Sequence, residues 1–214
     1  EGADSGTPVP GGSEMSYLRS LPMEVAMHPD TLVAYEMNRE ELPIEHGYPL
    51  RLVVPGWYGM ASVKWLSGIK VIDYEFEGFF QTDRYVIEND DGVWEPIKEM
   101  STKSLISSPA GGEVLANKPT CVAGMAWSGN AQIKNVEFSS DGGQTWEQAT
   151  LTGPSERYAW QQWHMTWTPP ASGHYTLACR ATDRLGNVQP IKTRWNAGGY
   201  VVNGVRPVSV TVAA

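Results

Sequence analysis

His46–Tyr85 reads HGYPLRLVVPGWYGMASVKWLSGIKVIDYEFEGFFQTDRY, with its polar donors set at the ends of short apolar runs. His46 precedes a Gly47-Tyr48-Pro49 turn, and Arg51 opens the apolar run Leu52 to Val54, which reads as a buried strand. Pro55 and Gly56 end the run. Ser62 and Lys64 emerge from a loop rich in small residues, just before Trp65 and Leu66 return to an apolar environment. This layout puts a hydroxyl, an ammonium, a guanidinium and an imidazole on loops at a strand's ends. A phosphorylated cofactor there could accept several charge-assisted hydrogen bonds.

Outward from that stretch, the 214 residues leave room for one large domain or two small ones around a sizeable core, and two are expected. The balance of 24 acidic against 16 basic residues, net −8, argues against nucleic acid or an anionic membrane as a general partner, so any anion site must be local. No apolar run approaches the ~20 residues of a membrane span. The start, Glu1-Gly2-Ala3-Asp4, has neither the basic head nor the apolar stretch of a signal peptide, so the chain reads as soluble and already cut. Nine Trp and nine Tyr against four Phe, with 22 Gly and 15 Pro, predict short strands joined by tight turns. Cys121 and Cys179 form no disulfide framework and no zinc pattern, and they leave the redox compartment undecided.

Residues 6 to 13, Gly-Thr-Pro-Val-Pro-Gly-Gly-Ser, read as loop, since their prolines and glycines suit neither a helix nor a strand interior. Ser20 as N-cap and Pro22 in the first turn predict a short helix, stopped by Met27-His28-Pro29. Thr31 to Met37 reads as a strand, and residues 38 to 45, with the Leu42-Pro43 break, as the turn before His46. Gly68 to Phe80 alternates β-branched and aromatic residues ahead of the loop that bears Tyr85, and Glu88 to Trp94 reads as a turn. Ser101 to Gly112 is the expected junction, because apolar periodicity lapses and turn formers accumulate. The domains are then 1–104 and 105–214.

Beyond residue 113, strands are expected at 119–127, 133–139, 145–151, 158–167, 173–182 and 207–213, with a hairpin at Asp141-Gly142-Gly143, where positive φ is tolerated. Such spacing indicates an antiparallel β-sandwich of about 100 residues.

The motif H-G-[FY]-P-x-R-[LV]-V-V-P-G, then V-K-W-L, then a Tyr about twenty residues on, resembles the molybdopterin domain of the sulfite oxidase family. Gly124-Met-Ala-Trp-Ser-Gly129, Ser140-Asp-Gly-Gly-Gln-Thr-Trp146 and Arg180-Ala-Thr-Asp-Arg-Leu-Gly-Asn-Val-Gln-Pro190 resemble the immunoglobulin-like dimerisation domain of the same enzymes. The resemblance runs nearly the whole chain. It implies a mainly β fold: a partial α+β molybdopterin domain followed by an immunoglobulin-like antiparallel β-sandwich. Carried over residue by residue, it makes Asp4, His46, Arg51, Ser62, Val63 and Lys64 pterin contacts and Tyr85 the active-site tyrosine beside the metal. Molybdenum-molybdopterin is the implied cofactor, and a homodimer through the C-terminal domain and a cytochrome electron acceptor are the implied partners. A bacterial source would favour the periplasm.

Two departures from the family pattern stand out. The metal-ligating cysteine and the first part of the molybdopterin domain are expected upstream of Glu1. The chain would then be the C-terminal part of an enzyme that needs its upstream half, with no metal ligand of its own and no activity alone. Sulfite-oxidising members often read W-N-x-R-G near the C-terminus, whereas this chain reads Trp195-Asn196-Ala197-Gly198-Gly199, so Gly198 replaces an anion-binding arginine.

Each of these residues also has a plainer reading. His46 alone could cap a turn, Arg51 could pair with Glu45, Asp4 could be an ordinary terminal acid, and Tyr85 could pack at a sheet rim. Tyr85 as a phenol, however, can hold an oxyanion and pass protons, which Phe cannot; Arg84, next to it, would point the other way if the backbone is extended and is left out of the site. Trp127, Trp146, Trp160, Trp163, Trp167 and Trp195 are read as core and dimer-face residues. Cys121 and Cys179 fall on facing strands, where a disulfide is conceivable and separate buried thiols are expected. The resemblance implies oxygen-atom transfer to sulfite or a related sulfur oxyanion. The competing reading is a non-catalytic β-sandwich interaction module with a vestigial anion pocket.

Overall fold

A computed structural model of the chain describes residues 1–4, 7–8, 14–129 and 131–213, and they form two compact units. The first comprises Glu1–Glu99 with Asn196–Tyr200, the second Met100–Trp195 with Val201–Ala214.

Turn formers interrupt every apolar run of the first unit, so its strands are short. They are β1 (Thr7–Pro8), β2 (Glu14–Met15), β3 (Leu32–Ala34), β4 (Glu36–Met37), β5 (Glu40–Glu41), β6 (Arg51–Val53), β7 (Val86–Glu88) and β8 (Trp94–Pro96). β1 pairs with β2, β3 with β6, β4 with β5 and β7 with β8, all antiparallel. Leu42, Val54, Ala61, Val63 and Ile97 are the buried apolar residues beneath them. Apart from β1, the loop expected over residues 6–13 lies outside the described residues.

Four local expectations for this unit and its junction change. The helix α1 is only Met23–Ala26, with Pro22 at its N-cap and no side-chain cap; the Ser20 hydroxyl instead accepts from Gln81 Nε2 at 3.0 Å. Thr31 to Met37 breaks into β3 and β4 because the two halves pair with different partners. Gly68 to Gly78 makes no strand despite its alternation: Ile69, Val71 and Tyr74 are exposed, and an extended run persists as a strand only where a neighbour pairs its backbone groups. The region 101–112, expected as the junction, carries a full strand of the second unit.

That unit is a sandwich of β9 (Lys103–Ser108), β10 (Val114–Ala116), β11 (Thr120–Trp127), β12 (Ile133–Ser139), β13 (Glu147–Gln148), β14 (Thr150–Thr152), β15 (Gln161–Trp167), β16 (Gly173–Asp183) and β17 (Val208–Ala213). One sheet has the order β14-β15-β11-β9, the other β10-β17-β16-β12-β13. All pairs are antiparallel except β10 with β17 at one edge. The strand expected over 145–151 is instead β13 and β14, one in each sheet, and buried Ala149 makes the crossing.

The period-two pleat explains the core. Val122, Gly124 and Ala126 of β11 point inward, against Phe138 of β12, Trp163 of β15 and Leu177, Cys179 and Ala181 of β16. Gly124 is demanded by packing: a Cβ there would collide with the Leu105 carbonyl and the Trp163 indole. The same parity corrects the reading of the cysteines. Cys121 falls on the outward face and is exposed, so it is neither buried nor aimed at Cys179; both thiols are free. Burial pushes the Cys179 thiol up to about 12.

Asp183 ends β16 fully buried, accepting from the hydroxyls of Thr102 and Ser128 at 2.8 Å each and from Asn187 Nδ2 at 2.9 Å. The backbone N–H groups of Leu185 and Asn187 also donate to it. Burial alone would raise its pKa, but the donations from Asn187, Ser128 and Thr102 outweigh it and hold the carboxyl below its ordinary value. A carboxyl depressed in the folded state contributes stability above its unfolded pKa of about 4, and that contribution disappears as pH falls through the folded value. The sandwich should therefore lose stability below about pH 4. Asp183→Asn should be less stable at pH 7 yet show a shallower acid loss, which urea unfolding across pH 2 to 7 would read. An equally steep acid loss in the variant would assign the effect to other carboxylates.

Candidate functional site

The site is built around a tight turn. Pro43 enters in extended geometry, Ile44–His46 form one 3₁₀ turn, and Gly47 closes it at φ 110°. Gly47 is buried between two cationic stems: a Cβ there would lie 2.9 Å from Lys64 Cβ and 3.1 Å from Arg51 Cβ, at a φ that costs an L-residue extra.

The carbonyls at the end of that turn are capped in sequence. Trp65 Nε1 donates to Ile44 O at 2.8 Å, Lys64 Nζ to Glu45 O at 2.8 Å, and an Arg51 amino group to His46 O at 3.2 Å. Cations suit such a helix C-terminus. Lys64 Nζ also lies 4.2 Å from the Trp65 ring centroid. Among the described residues no carboxylate pairs with Arg51 or Lys64, so Arg51 is not the partner of Glu45.

Ser62 lines the same corner. Its hydroxyl accepts from Val54 N at 3.0 Å, leaving its proton to give, and its carbonyl faces the Arg51 fork at 3.5 Å. Val63 is buried, with its N–H bonded to Ala61 O and its carbonyl accepting from Leu52, so it offers a wall and no main-chain donor. Asp4 joins through the backbone: Gly2 bridges to Leu66, and Ala3 N donates to Trp65 O at 2.8 Å. A Cβ on Gly2 would run into the Asp4 carboxylate, so the glycine lets that carboxylate tuck in. His46 is exposed, and the structure engages its carbonyl. Ala3, Asp4, Tyr48, Pro49, Trp65, Leu66 and Ser67 surround an open depression of about 540 Å³.

Two buried polar atoms here make no hydrogen bond, Asp4 Oδ1 and Arg51 Nε. Leaving a buried donor or acceptor unpaired costs about 1–3 kcal/mol each. A ligand carrying N–H donors and anionic oxygens would relieve both.

Tyr85 sits at the unit's other polar centre. It follows a π-helical turn, Phe79–Asp83, and precedes β7, with φ at 55°, uncommon for a residue with a side chain. Its carbonyl accepts from Ile97 N at 2.8 Å. Its ring lies 5.4 Å from that of Tyr200 and 6.5 Å from that of Phe80, and no hydrogen bond engages its hydroxyl among the described residues. A Cβ on Gly198 would collide with the Tyr200 ring, so that ring fills the space where a larger side chain would begin.

Tyr17 joins the two centres. Its N–H donates to Asp4 O at 3.3 Å, its hydroxyl to Met60 O at 2.7 Å, and its ring packs 4.7 Å from Phe80. Burial raises its phenol above the ordinary range. Sequence reasoning missed Tyr17, Arg19 and Tyr200. The signal for the first two was the alternation Tyr17-Leu18-Arg19, which puts phenol and guanidinium on one face of an extended segment.

Two family models match the chain. Residues 1–80 match the oxidoreductase molybdopterin binding domain and residues 94–212 the Mo-co oxidoreductase dimerisation domain. Mitochondrial sulfite oxidase of Homo sapiens is 35% identical over 231 residues, covering 100% of this chain and 42% of the relative. NADH nitrate reductase 2 of Phaseolus vulgaris is 33% identical, covering 95% of this chain and 26% of that protein. The crystal structure of the sulfane dehydrogenase SoxCD of Paracoccus pantotrophus superposes with a TM-score of 0.79 at 34% identity, covering 97% of this chain and 52% of that one. The chain thus spans less than half the length of these curated relatives.

The class defined is a molybdopterin-binding segment followed by a dimerisation sandwich. The chain belongs to the sulfite oxidase family of molybdenum-cofactor oxidoreductases. Molybdopterin fits the residues present: its phosphate matches the unpaired charges of Arg51 and Lys64, and its ring amines match the orphaned Asp4 oxygen.

Gly47→Ala should loosen this corner selectively. A left-handed φ costs a non-glycine residue about 1–2 kcal/mol, and the new methyl also presses on both cationic stems. Exchange of the amides of Gly47 and Leu52, which bond Ile44 O and Val63 O, should quicken about tenfold. Amides of β12 should not change. Unaltered protection at Leu52 would show that the turn tolerates a side chain.

Proposed function

We propose that this chain supplies pterin-binding residues, the active-site tyrosine and the dimer interface of an enzyme that oxidises a sulfur compound by oxygen-atom transfer. Each turnover adds to sulfur one oxygen derived from water and releases two protons and two electrons. The electrons leave to a cytochrome. The observation that carries the reading is that the segment matched by the molybdopterin model holds Arg51 and Lys64, which no described carboxylate pairs, and a buried Asp4 Oδ1 without a hydrogen-bond partner.

Bound at this corner, the molybdenum cofactor supplies the redox and oxygen-transfer chemistry. Arg51 and Lys64 hold its phosphate, Asp4 accepts from its amines, Ser62 donates its hydroxyl proton, Val63 walls the corner, and His46 contacts it from the exposed end of the turn. Tyr85 offers its uncommitted hydroxyl to the substrate's oxygen or to a proton in transit.

Sulfite is the less favoured substrate, because the 196–200 loop presents no guanidinium and covers Gly198 with the Tyr200 ring. A sulfane sulfur, soft and at home against aromatic rings, suits Phe80, Tyr85 and Tyr200 better, and SoxCD, to whose structure the chain is similar, is a sulfane dehydrogenase. The homodimer is proposed through the sandwich, where Val114, Trp160 and Trp195 are exposed large apolar side chains and the matched model is of a dimerisation domain.

In the holoenzyme, Arg51→Ala and Lys64→Ala should each lower molybdenum content, since a charge-assisted bond is worth about 1.5–3 kcal/mol, or tenfold to a hundredfold in affinity. Normal metal content in both purified variants would remove Arg51 and Lys64 from the cofactor-binding set. Tyr85→Phe should keep cofactor and fold while turnover of a sulfane or sulfite substrate falls about tenfold or more. Equal turnover would return Tyr85 to a packing role.

A further inference from the structure

Arg19 reaches across the first unit to fasten the backbone on both sides of Tyr85. One amino group donates to the carbonyl of Phe80, inside the π-helical turn before the tyrosine; the other donates to the carbonyl of Ile97 at 3.2 Å. Ile97 in turn donates its N–H to the carbonyl of Tyr85 at 2.8 Å. The neighbouring residue repeats the link, with Gln81 Nε2 donating to Ser20 Oγ at 3.0 Å. A tyrosine at φ 55° holds that conformation only where its surroundings over-determine it.

The guanidinium also carries charge into this spot. Its Cζ lies 6.0 Å from the Tyr85 ring centroid. Its Nε is buried without a hydrogen-bond partner, and no carboxylate pairs with it among the described residues. Desolvation by burial lowers its pKa from the ordinary value, so the fold bears a cost for keeping it here. The Tyr200 ring flanks Tyr85 as well, and its Asn196–Tyr200 loop contributes an aromatic surface and no cation. Among the described residues, Arg19 is the cation for which a contact with the Tyr85 ring is seen.

We propose that Arg19 is a positioning residue for Tyr85: its two-carbonyl clamp fixes the tyrosine's backbone, and its unpaired charge makes the tyrosine's surroundings favourable to an anionic reacting group. The proposal rests on Tyr85 being the active-site tyrosine. A simple charge would not suffice, because spanning two carbonyls takes the planar fork that lysine lacks.

A double-mutant cycle in the holoenzyme, with hydrogen exchange alongside, tests it. Arg19→Met should lower kcat about tenfold with cofactor content retained, and Arg19→Lys, which keeps charge without the fork, should fall between Arg19→Met and the parent. In a Tyr85→Phe background, Arg19→Met should cost less than about threefold more, because it acts through the lost hydroxyl. Exchange at the Ile97 amide should quicken in both Arg19 variants while amides of β12 stay protected. If Tyr85→Phe alone is inert, the active-site reading fails. If Tyr85→Phe is impaired and Arg19→Met is silent or fully additive with it, or if Ile97 exchange is unchanged, the positioning role is overturned. Should Arg19→Met not accumulate as holoenzyme, the same comparisons with Arg19→Lys decide.

Discussion

Gly47 has to fit between the stems of Arg51 and Lys64, and the site in the first unit follows from that constraint. Only a residue without a side chain, at a positive φ, lets the Ile44–His46 turn come close enough for three successive carbonyls to be capped by Trp65, Lys64 and Arg51. The caps satisfy the turn and orient the cations at once. Arg51 Nε and, elsewhere in the same unit, Asp4 Oδ1 are left buried without a hydrogen-bond partner. The proposed binding role would fall to side chains that already cap the turn, so asking whether Arg51 is an ion-pair residue or a ligand offers too narrow a choice.

The sandwich was the more legible part because a pleated strand advertises itself twice, by alternation along its length and by turn chemistry at its ends. β11, β12, β16 and β17 fall within a residue or so of their expected limits. Alternation misled where the missing ingredient was a partner: Gly68 to Gly78 has the pattern of a strand and no strand neighbour among the described residues. At Cys121 the information was present in the sequence. Val122, Gly124 and Ala126 fix the inward parity, which leaves residue 121 facing out.

In the site, donor types and spacing were readable within His46–Lys64 because those residues meet over short sequence separations. The surroundings of Tyr85 were not. Arg19 and Ile97 are 78 positions apart, and the Tyr200 ring comes from a still later loop, so no local periodicity could link them. Long-range polar contacts of this kind are specified by the whole fold rather than by any window of it.

The excursion of Asn196–Tyr200 into the first unit bears on how such proteins recombine. Exchanging everything after residue 99 with a relative would import a foreign neighbour for Tyr85 along with the new sandwich, so the sandwich is not inherited independently of the tyrosine's environment. Two junctions flanking that loop, or co-selection of Tyr85 with its late-sequence ring partner, would be needed to shuffle the halves cleanly. Covariation between the two tyrosines is the trace this topology should leave in a lineage.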